Sequence, residues 1–255
     1  MTKPEILAII PARGGSKGIP RKNIRTFAGH PLIAFSIAAG LQAETVTRVI
    51  VSTEDEQIAE ISRHYGAETP FLRPAELAGD TTTDLPVFQQ ALIWLDDNEH
   101  YRPEVVVHLH ATTPVRGRGC VDEAVRLLLK TPRVDCVRSV VEASQNPYKM
   151  WRIDADTGRI VPLLTIPDVA EPYNIPRQSL PPVYWQTGHV NVIRPETVRG
   201  GSMTGQVVLP LVIDPRYLVD IDTPADWEYA ESVVARGVDE MVWPEEKPSV
   251  KQCRL

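Results

Sequence analysis

A glycine-rich, basic stretch near the amino terminus carries residue types that bind phosphate. It reads PARGGSKGIPRKNI over residues 11–24 and combines three glycines with Arg13, Lys17, Arg21 and Lys22. Glycines let the backbone turn sharply and present its N–H groups, and such groups together with cations suit a polyanionic ligand. We therefore predict that this loop binds a magnesium-bound nucleoside triphosphate. The alternative interpretation is an ordinary basic surface loop.

Two aspartates near the other end of the chain have the spacing of a metal site. Asp220 and Asp222 are separated by one residue in YLVDIDTPADW, residues 217–227. On a strand, side chains at i and i+2 lie on the same face. Magnesium prefers oxygen ligands and usually takes one or two carboxylates together with substrate phosphates. We predict that these carboxylates share a Mg²⁺ ion, the alternative being a polar surface strand.

The elements that must position these residues alternate between strands and helices. Short apolar runs predict buried strands, and apolar residues at helical spacing predict helices between them. This rhythm favours a parallel sheet with crossover helices, whose ligand crevice lies at the carboxyl ends of the strands. The predicted strands are 6–10, 48–52, 104–109, 134–141 and 217–222, and a hairpin is predicted over 151–161. The predicted helices are 31–42, 55–65, 85–95, 121–130 and one that begins near Pro224.

Residues that cap helices are predicted at three of these helix starts. Thr53 is the expected N-cap of the helix over 55–65, and Thr83 or Asp84 that of the helix over 85–95. Thr223 is the expected N-cap of the last helix, with Pro224 in its first turn. Hydroxyl and carboxylate side chains at such positions accept hydrogen bonds from free backbone N–H groups.

Composition excludes several classes of protein. The net charge of −6 argues against a general nucleic-acid binder, and no dinucleotide-binding GxGxxG motif supports a dehydrogenase. Three scattered cysteines, Cys120, Cys136 and Cys253, predict neither a disulfide framework nor a metal site and fit a reducing cytoplasm. The first apolar run is broken by Pro11 and is too short for a signal peptide or a membrane span. We therefore expect no nucleic-acid or membrane partner.

The stretch over residues 11–24 resembles the amino-terminal signature of the acylneuraminate cytidylyltransferases, the CMP-sialic acid synthetases and their relatives that act on other nine-carbon keto sugar acids. This resemblance implies an α/β fold with a twisted, mostly parallel, Rossmann-like nucleotidyltransferase sheet and a small β-rich dimerisation extension. It implies one domain over residues 1–240, an inserted dimerisation and acceptor lobe at about 145–185, and a tail over 241–255. A homodimer or a dimer of dimers is expected.

The resemblance also implies a reaction and the residues that perform it. The anomeric hydroxyl of an acidic keto sugar attacks the α-phosphorus of CTP, and pyrophosphate leaves. Arg13, Lys17 and Asp220 are the implied catalytic residues, and Asp220 and Asp222 the implied Mg²⁺ ligands. The implied nucleotide-binding residues are Arg13, Gly14, Gly15, Ser16, Lys17, Lys22, Asn23, Arg73 and Asp84.

A second signature leaves the choice of base open. The stretch RPAELAGDTTTD, residues 73–84, resembles the family segment that holds the base and ribose, and Arg73 matches its arginine. Asp84 falls where the cytidine-using members commonly carry a serine. An acidic acceptor pairs with the N1–H and N2–H groups of guanine, which cytosine lacks. Use of GTP is therefore a hypothesis beside use of CTP.

The acceptor-binding residues are also implied by the resemblance. In HLHATTPVR, residues 108–116, the family carries a glutamine at the place of His110, which is thereby implied to lie beside the acceptor sugar. The alternative for His110 is a strand-end histidine hydrogen-bonded to a loop, and His108 is interpreted as a structural or surface residue. The remaining implied contacts to the sugar lie in NPYK, PRQSLPP and YWQTGHVNVI: they are Lys149, Arg177, Gln178 and Asn191. The last of these segments matches only loosely, so another acidic sugar stays open. A non-catalytic nucleotide-binding protein is the alternative from a different class.

Overall fold

A six-stranded mixed sheet organises the protein. The computed structural model describes residues 4–245. The strands are β1 (Ile6–Pro11), β2 (Thr26–Phe27), β3 (His30–Pro31), β4 (Arg48–Ser52), β5 (Val105–His108), β6 (Cys136–Glu142), β7 (Trp151–Ile153), β8 (Ile160–Pro162), β9 (Tyr184–Ile193) and β10 (Val208–Val212). The α-helices are α1 (Leu32–Leu41), α2 (Glu56–His64), α3 (Asp84–Glu99), α4 (Cys120–Lys130), α5 (Pro195–Arg199) and α6 (Pro224–Ala235).

The sheet has the strand order β10-β6-β9-β5-β1-β4. Strand β1 pairs in parallel with β4 and β5, and β10 pairs in parallel with β6. Strand β9 runs antiparallel to both of its neighbours, β5 and β6. A parallel neighbour requires a connection that crosses to the opposite end of the sheet. The chain between β6 and β9 instead returns at the end of the sheet where β6 finishes, so β9 runs antiparallel to β6. The structure confirms the predicted α/β class.

Helices cover both faces of the sheet. Every residue from Ile6 to Ile10 is buried, with alternate side chains packing into two different clusters of the core. A strand buried on both sides reads as a continuous apolar run, which is why β1 was predictable. Helix α1 packs tightly on the sheet because it has Gly40, where a Cβ would lie 2.9 Å from Val49 Cγ2. None of the helices in the described range 4–245 has the length and apolar character needed to cross a membrane.

The segment between β6 and β9, called the lobe below, spans most of the residues at about 145–185 for which an inserted lobe was predicted. It contains the two-stranded antiparallel hairpin of β7 and β8, which confirms the hairpin predicted over 151–161. The rest of the lobe consists of loops and the 3₁₀ turns Pro147–Lys149, Pro172–Asn174 and Arg177–Ser179. The predicted division into a domain, a lobe and a tail stays a prediction. Residues 246–255 of that tail, including Cys253, lie outside the described residues.

Several predicted elements differ from the observed ones. Asp55, not Thr53, caps α2, because its carboxylate accepts a hydrogen bond from the N–H of Ile58 at 3.0 Å. Thr53 instead accepts one from the N–H of Asp55. Thr83 holds the N-cap position of α3 without a side-chain cap bond, and that helix extends to Glu99. Strand β10 and helix α5 were not predicted.

The predicted strand over residues 217–222 is wrong. The chain there leaves the 3₁₀ turn Pro215–Tyr217 and continues as a loop. The N–H of Ile221 donates to the carbonyl of Thr112 at 2.9 Å, so this loop is tied to another loop and not to the sheet. Asp220 and Asp222 therefore do not gain a shared face from strand geometry.

The predicted cap of the last helix is confirmed and testable. The Thr223 hydroxyl accepts from the N–H of Asp226, whose carboxylate accepts in turn from the N–H of Thr223. Replacing Thr223 with alanine should lower the free energy of unfolding by about 1 kcal/mol, because a free N–H of the first turn loses its acceptor. Urea unfolding measures this, with Thr223→Ser as the control that keeps the hydroxyl. Equal midpoints for Thr223→Ala and the wild type would contradict the assignment.

Candidate functional site

A cleft of about 350 Å³ opens beside the carboxyl ends of β1 and β5. It is lined by the basic loop, by residues 73–87, by the turn after β5 and by Asp222. Nine of the residues singled out from the sequence line it: Arg13, Ser16, Lys17, Lys22, Asn23, Arg73, Asp84, His110 and Asp222. Gly14 and Gly15 belong to the same loop but do not line the cleft. The structure thus brings the two ends of the chain together.

Two cations of the basic loop meet one carboxylate across the cleft. Arg13 donates to Asp80 Oδ1 at 3.1 Å and to the carbonyl of Gly79 at 3.0 Å. Lys17 pairs with the other oxygen of Asp80, and its side chain is 75% exposed. The hydrogen bond from Lys17 and the nearby charge of Arg13 hold the pKa of Asp80 below its usual value. These cations are therefore positioned by an anion that a phosphate could replace.

A second carboxylate connects the loop to the arginine of the second signature. Glu54 accepts a hydrogen bond from the backbone N–H of Gly14 at 2.7 Å and one from Arg73 Nη2 at 2.9 Å. Arg73 is buried, with 6% of its surface exposed, and lies against the cleft. The backbone N–H of Gly14 is therefore occupied by a carboxylate of the protein and does not face the cleft, unlike the donor expected from the sequence.

The end of the basic loop is locked to the segment that carries the late aspartates. Lys22 donates to the carbonyl of Ile221 at 2.6 Å and to Asp222 Oδ1 at 2.9 Å. Gly18 approaches this segment so closely that a Cβ there would lie 2.2 Å from the carbonyl oxygen of Asp222. Asn23 donates to the carbonyl of Arg13 at 2.9 Å. Lys22 and Asn23, both buried, therefore shape the loop from within.

A fully buried arginine holds the turn that follows β5. Arg116 donates to the carbonyls of His110 and His189 at 2.6 and 2.7 Å and to the hydroxyls of Ser36 and Thr113 at 2.9 and 2.7 Å. Burial lowers the pKa of Arg116 to about 10, so it stays charged at neutral pH. Because these acceptors come from three separate segments, the guanidinium positions His110 at the cleft wall.

Two histidines and an aspartate lie together at the base of the cleft. The rings of His108 and His110 stack with centroids 4.1 Å apart and an interplanar angle of 20°. His108 is buried, and its Nε2 lies 3.9 Å from Asp84 Oδ2. Burial lowers the pKa of both histidines, and Asp84 opposes this effect at His110. The sequence interpretation of His108 as structural missed that it borders two predicted site residues.

The other residues singled out from the sequence lie elsewhere. Asp220 is exposed and does not line the cleft, although its charge partly opposes the lowering of the pKa of His110 by burial. Lys149 donates to the carbonyls of Tyr173 and Ile175 within the lobe. Arg177 and Gln178 line a different cavity, beside β6 and the start of β9. Asn191 is buried in β9, opposite His108 in the ladder.

Asp80 and Glu54 are site residues that sequence reasoning missed. Both carboxylates pair with cations that had been singled out. A signal was available, since Glu54 comes directly after β4, whose carboxyl end lies beside that of β1. Asp80 lies within the second signature, residues 73–84. Arranged in this way, the cleft can hold a polyanion between cations and backbone N–H groups, with a carboxylate on the far wall.

Comparison with known proteins gives consistent results. The family model described as "Cytidylyltransferase" matches residues 7–150. The chain is 31% identical to a CMP-N,N'-diacetyllegionaminic acid synthase from Legionella pneumophila over 93% of its own length and 99% of that protein's. It is 32% identical to N-acylneuraminate cytidylyltransferase A of Danio rerio, over 91% of this chain and 51% of that protein.

A solved structure shares the fold. It is that of CMP:2-keto-3-deoxy-manno-octonic acid synthetase complexed with CTP, with a TM-score of 0.66 and 15% sequence identity over 92% of this chain and all of the other. The family model covers more than half of the chain and the Legionella relative nearly all of it. The chain belongs to the cytidylyltransferase family, and within it to the branch that contains the N-acylneuraminate and legionaminic acid enzymes.

Proposed function

We propose that this protein transfers the cytidylyl group of CTP to an acidic keto sugar of the nonulosonic acid class or a close relative. A bond forms between the anomeric oxygen and the α-phosphorus, the bond from that phosphorus to the bridging oxygen breaks, and pyrophosphate leaves. The observation that carries the proposal is that Arg13, Lys17 and Asp222 line one cleft in a member of this family. The named relatives act on CTP and such sugars.

The protein's main contribution in this proposal is to position the reactants and neutralise charge. Arg13 and Lys17 bind the phosphates after the ligand displaces Asp80, and Ser16 lines the same cleft beside them. The N–H of Gly14, which Glu54 holds outside the cleft lining, is not one of these donors. Arg73 and Asp84 border the base and ribose, and His110 borders the acceptor. The proton of the attacking hydroxyl leaves to solvent, or to Asp220 as the candidate base if that exposed side chain, which does not line the cleft in this structure, turns towards it.

We also propose that Mg²⁺ accompanies the triphosphate. The Asp222 carboxylate fits this ion, because it lines the cleft and its side chain is 72% exposed, which leaves oxygen free for a metal while Lys22 holds one side. Asp220, two residues away, is the proposed second ligand. When bound, the ion neutralises phosphate charge and lowers the pKa of the attacking hydroxyl.

Release of pyrophosphate tests the activity. Purified protein with CTP, Mg²⁺ and a panel of sialic, legionaminic, pseudaminic and octulosonic acids should release pyrophosphate with at least one acceptor. Lys17→Ala should reduce kcat by about 100-fold or more, because a donor to the transferring phosphates is lost. Lys130→Ala, at the exposed end of α4, is the matched control. Absence of turnover with every acceptor would favour the non-catalytic alternative.

The same assay decides the choice of base. CTP and GTP are supplied side by side, and we expect turnover with CTP. Turnover with GTP alone would instead support pairing of guanine with Asp84.

The ion pairs of Asp80 predict a measurable competition. Asp80→Asn should lower the KM for the nucleotide by up to about fivefold, because water screens this exposed ion pair and the phosphates no longer have to displace it. Steady-state kinetics at low ionic strength measure the effect. The control Asp96→Asn breaks the exposed pair with Arg102 on α3 and should leave KM unchanged. A raised KM in Asp80→Asn would show that Asp80 supports binding.

We further propose that the lobe forms the interface of a homodimer. A two-stranded hairpin is marginally stable by itself, and this one exposes Ile153 by 75% and Ile160 by 59%. Trp185, at the start of β9, is 63% exposed. Contiguous exposed apolar side chains mark interaction surfaces, and a second copy of the chain would cover them. The cytoplasm is the proposed location, because three scattered cysteines fit a reducing compartment.

Replacing Ile153 with glutamate should therefore yield a monomer, because a charge would be buried without a partner. Size-exclusion chromatography with light scattering measures the mass. Ile93→Glu, at a residue of α3 that is 58% exposed, is the matched control and should keep the mass of the wild type. A monomeric wild type would refute the proposed interface.

A further inference from the structure

The cluster at the base of the cleft combines the donors of a metal site. Asp84 is the first residue of α3, His108 is the last residue of β5, and His110 follows two residues later. One ligand atom from each lies within 4.8 Å of the others. Two imidazole nitrogens and a carboxylate oxygen are the three protein ligands found in one class of catalytic zinc sites.

An unsatisfied buried atom shows that this cluster lacks a partner. His108 Nε2 is buried, and no residue of the described range 4–245 forms a hydrogen bond to it. An unpaired buried polar group costs about 1–3 kcal/mol. The ring is held in place between Phe88, at a centroid distance of 4.7 Å, and His110. The nitrogen is therefore held in a defined direction, towards Asp84 and the space between the three side chains.

The distances are close to those of a bound ion. Tetrahedral ligands at zinc bond lengths of 2.0–2.1 Å lie about 3.4 Å from one another. The separation of His108 Nε2 from Asp84 Oδ2 is 3.9 Å, which a rotation of the half-exposed Asp84 side chain closes. Because an ion lies in the plane of each imidazole that binds it, the partly exposed His110 ring must also turn out of its 20° stack with His108 when the ion binds. Gly188 leaves His110 its room, because a Cβ there would lie 3.1 Å from His110 Cβ and Cγ.

The site would be open towards the cleft. Asp84 and His110 line the cleft, whereas His108 lies behind them. A three-ligand site with one open side leaves a coordination position for water or for an oxygen of a ligand in the cleft. Nitrogen donors favour borderline transition metals over Mg²⁺, which prefers oxygen. This cluster is thus different in kind from the carboxylates proposed for Mg²⁺.

We propose that Asp84, His108 and His110 bind a divalent transition metal of the zinc class. This site adds a second, chemically distinct cation to the cleft and makes Asp84 a metal ligand in place of a reader of the base. The proposed metal site does not depend on the proposed reaction, because the three side chains form the site without nucleotide or sugar.

The test measures metal binding without nucleotide or sugar. Tag-free full-length protein is treated with a chelator, freed of it and titrated with Co²⁺, which reports nitrogen and oxygen ligation by its visible absorption. We expect one Co²⁺ per chain, displaced by Zn²⁺ and not by excess Mg²⁺. Calorimetry with Zn²⁺ should give the same stoichiometry.

Variants assign the ligands. Asp84→Asn and His110→Gln should each weaken Zn²⁺ binding by about tenfold or more, since even residues that only support a ligand contribute that much. Both side chains border the cleft, and circular dichroism verifies that the variants are folded. His64→Gln, which removes an exposed histidine of α2, should bind as the wild type does. A wild type that does not bind Co²⁺, as when a water molecule satisfies His108, or a His110→Gln variant that binds normally would overturn the proposal.

Discussion

The buried guanidinium of Arg116 is the interaction on which the site depends. It donates to backbone carbonyls of the turn after β5 and of β9, and to a hydroxyl of α1. The paired part of β5 and β9 ends at His108 and Asn191, so the guanidinium joins the two segments just beyond that ladder. A planar, permanently charged donor with five N–H groups can satisfy several acceptors that converge from different directions. His110 lies at the cleft because the Arg116 guanidinium holds the backbone carbonyl of His110 in place.

In the remainder of the cleft, the charged side chains face side chains of opposite charge, so little net charge is left. Asp80 faces Arg13 and Lys17, Glu54 faces Arg73 and the N–H of Gly14, and Asp222 faces Lys22. The exposed pairs contribute little to stability because water screens them. Their effect is to keep flexible cations directed at one place, where an anionic ligand can exchange with a carboxylate. A loop that is basic in sequence is therefore nearly neutralised by its neighbours in the fold.

At the base of the cleft, stacking and burial arrange the side chains, and pairs of opposite charge do not. His108 and His110 stack against each other and are kept neutral by burial, and Asp84 is the anion nearest to them. The family resemblance drawn from the sequence implies a glutamine at the place of His110 and, commonly, a serine at that of Asp84. Both departures introduce side chains that coordinate metals, and the fold places them next to a third. Two differences from the family pattern that lie side by side in the fold are stronger evidence for a metal site than either difference alone.

The sequence by itself determined the parts that depend on near neighbours. Strands β1, β4 and β5 were predictable because burial on both faces requires continuous apolar runs, and the capping box of α6 lies within four residues. The basic loop was recognisable by composition alone. Its place at the edge of the sheet followed from the rule that parallel strands end together.

Tertiary structure decided the features that depend on distant partners. Strand β9 is antiparallel because the lobe returns the chain beside β6, and residues 217–222 form a loop because Ile221 pairs with Thr112. The roles of Asp80, Glu54 and His108 likewise arise from residues far away along the chain. Local periodicity reports which side of a segment is buried, but a hydrogen bond across the fold depends on where two separate segments meet, and only the packed chain determines that.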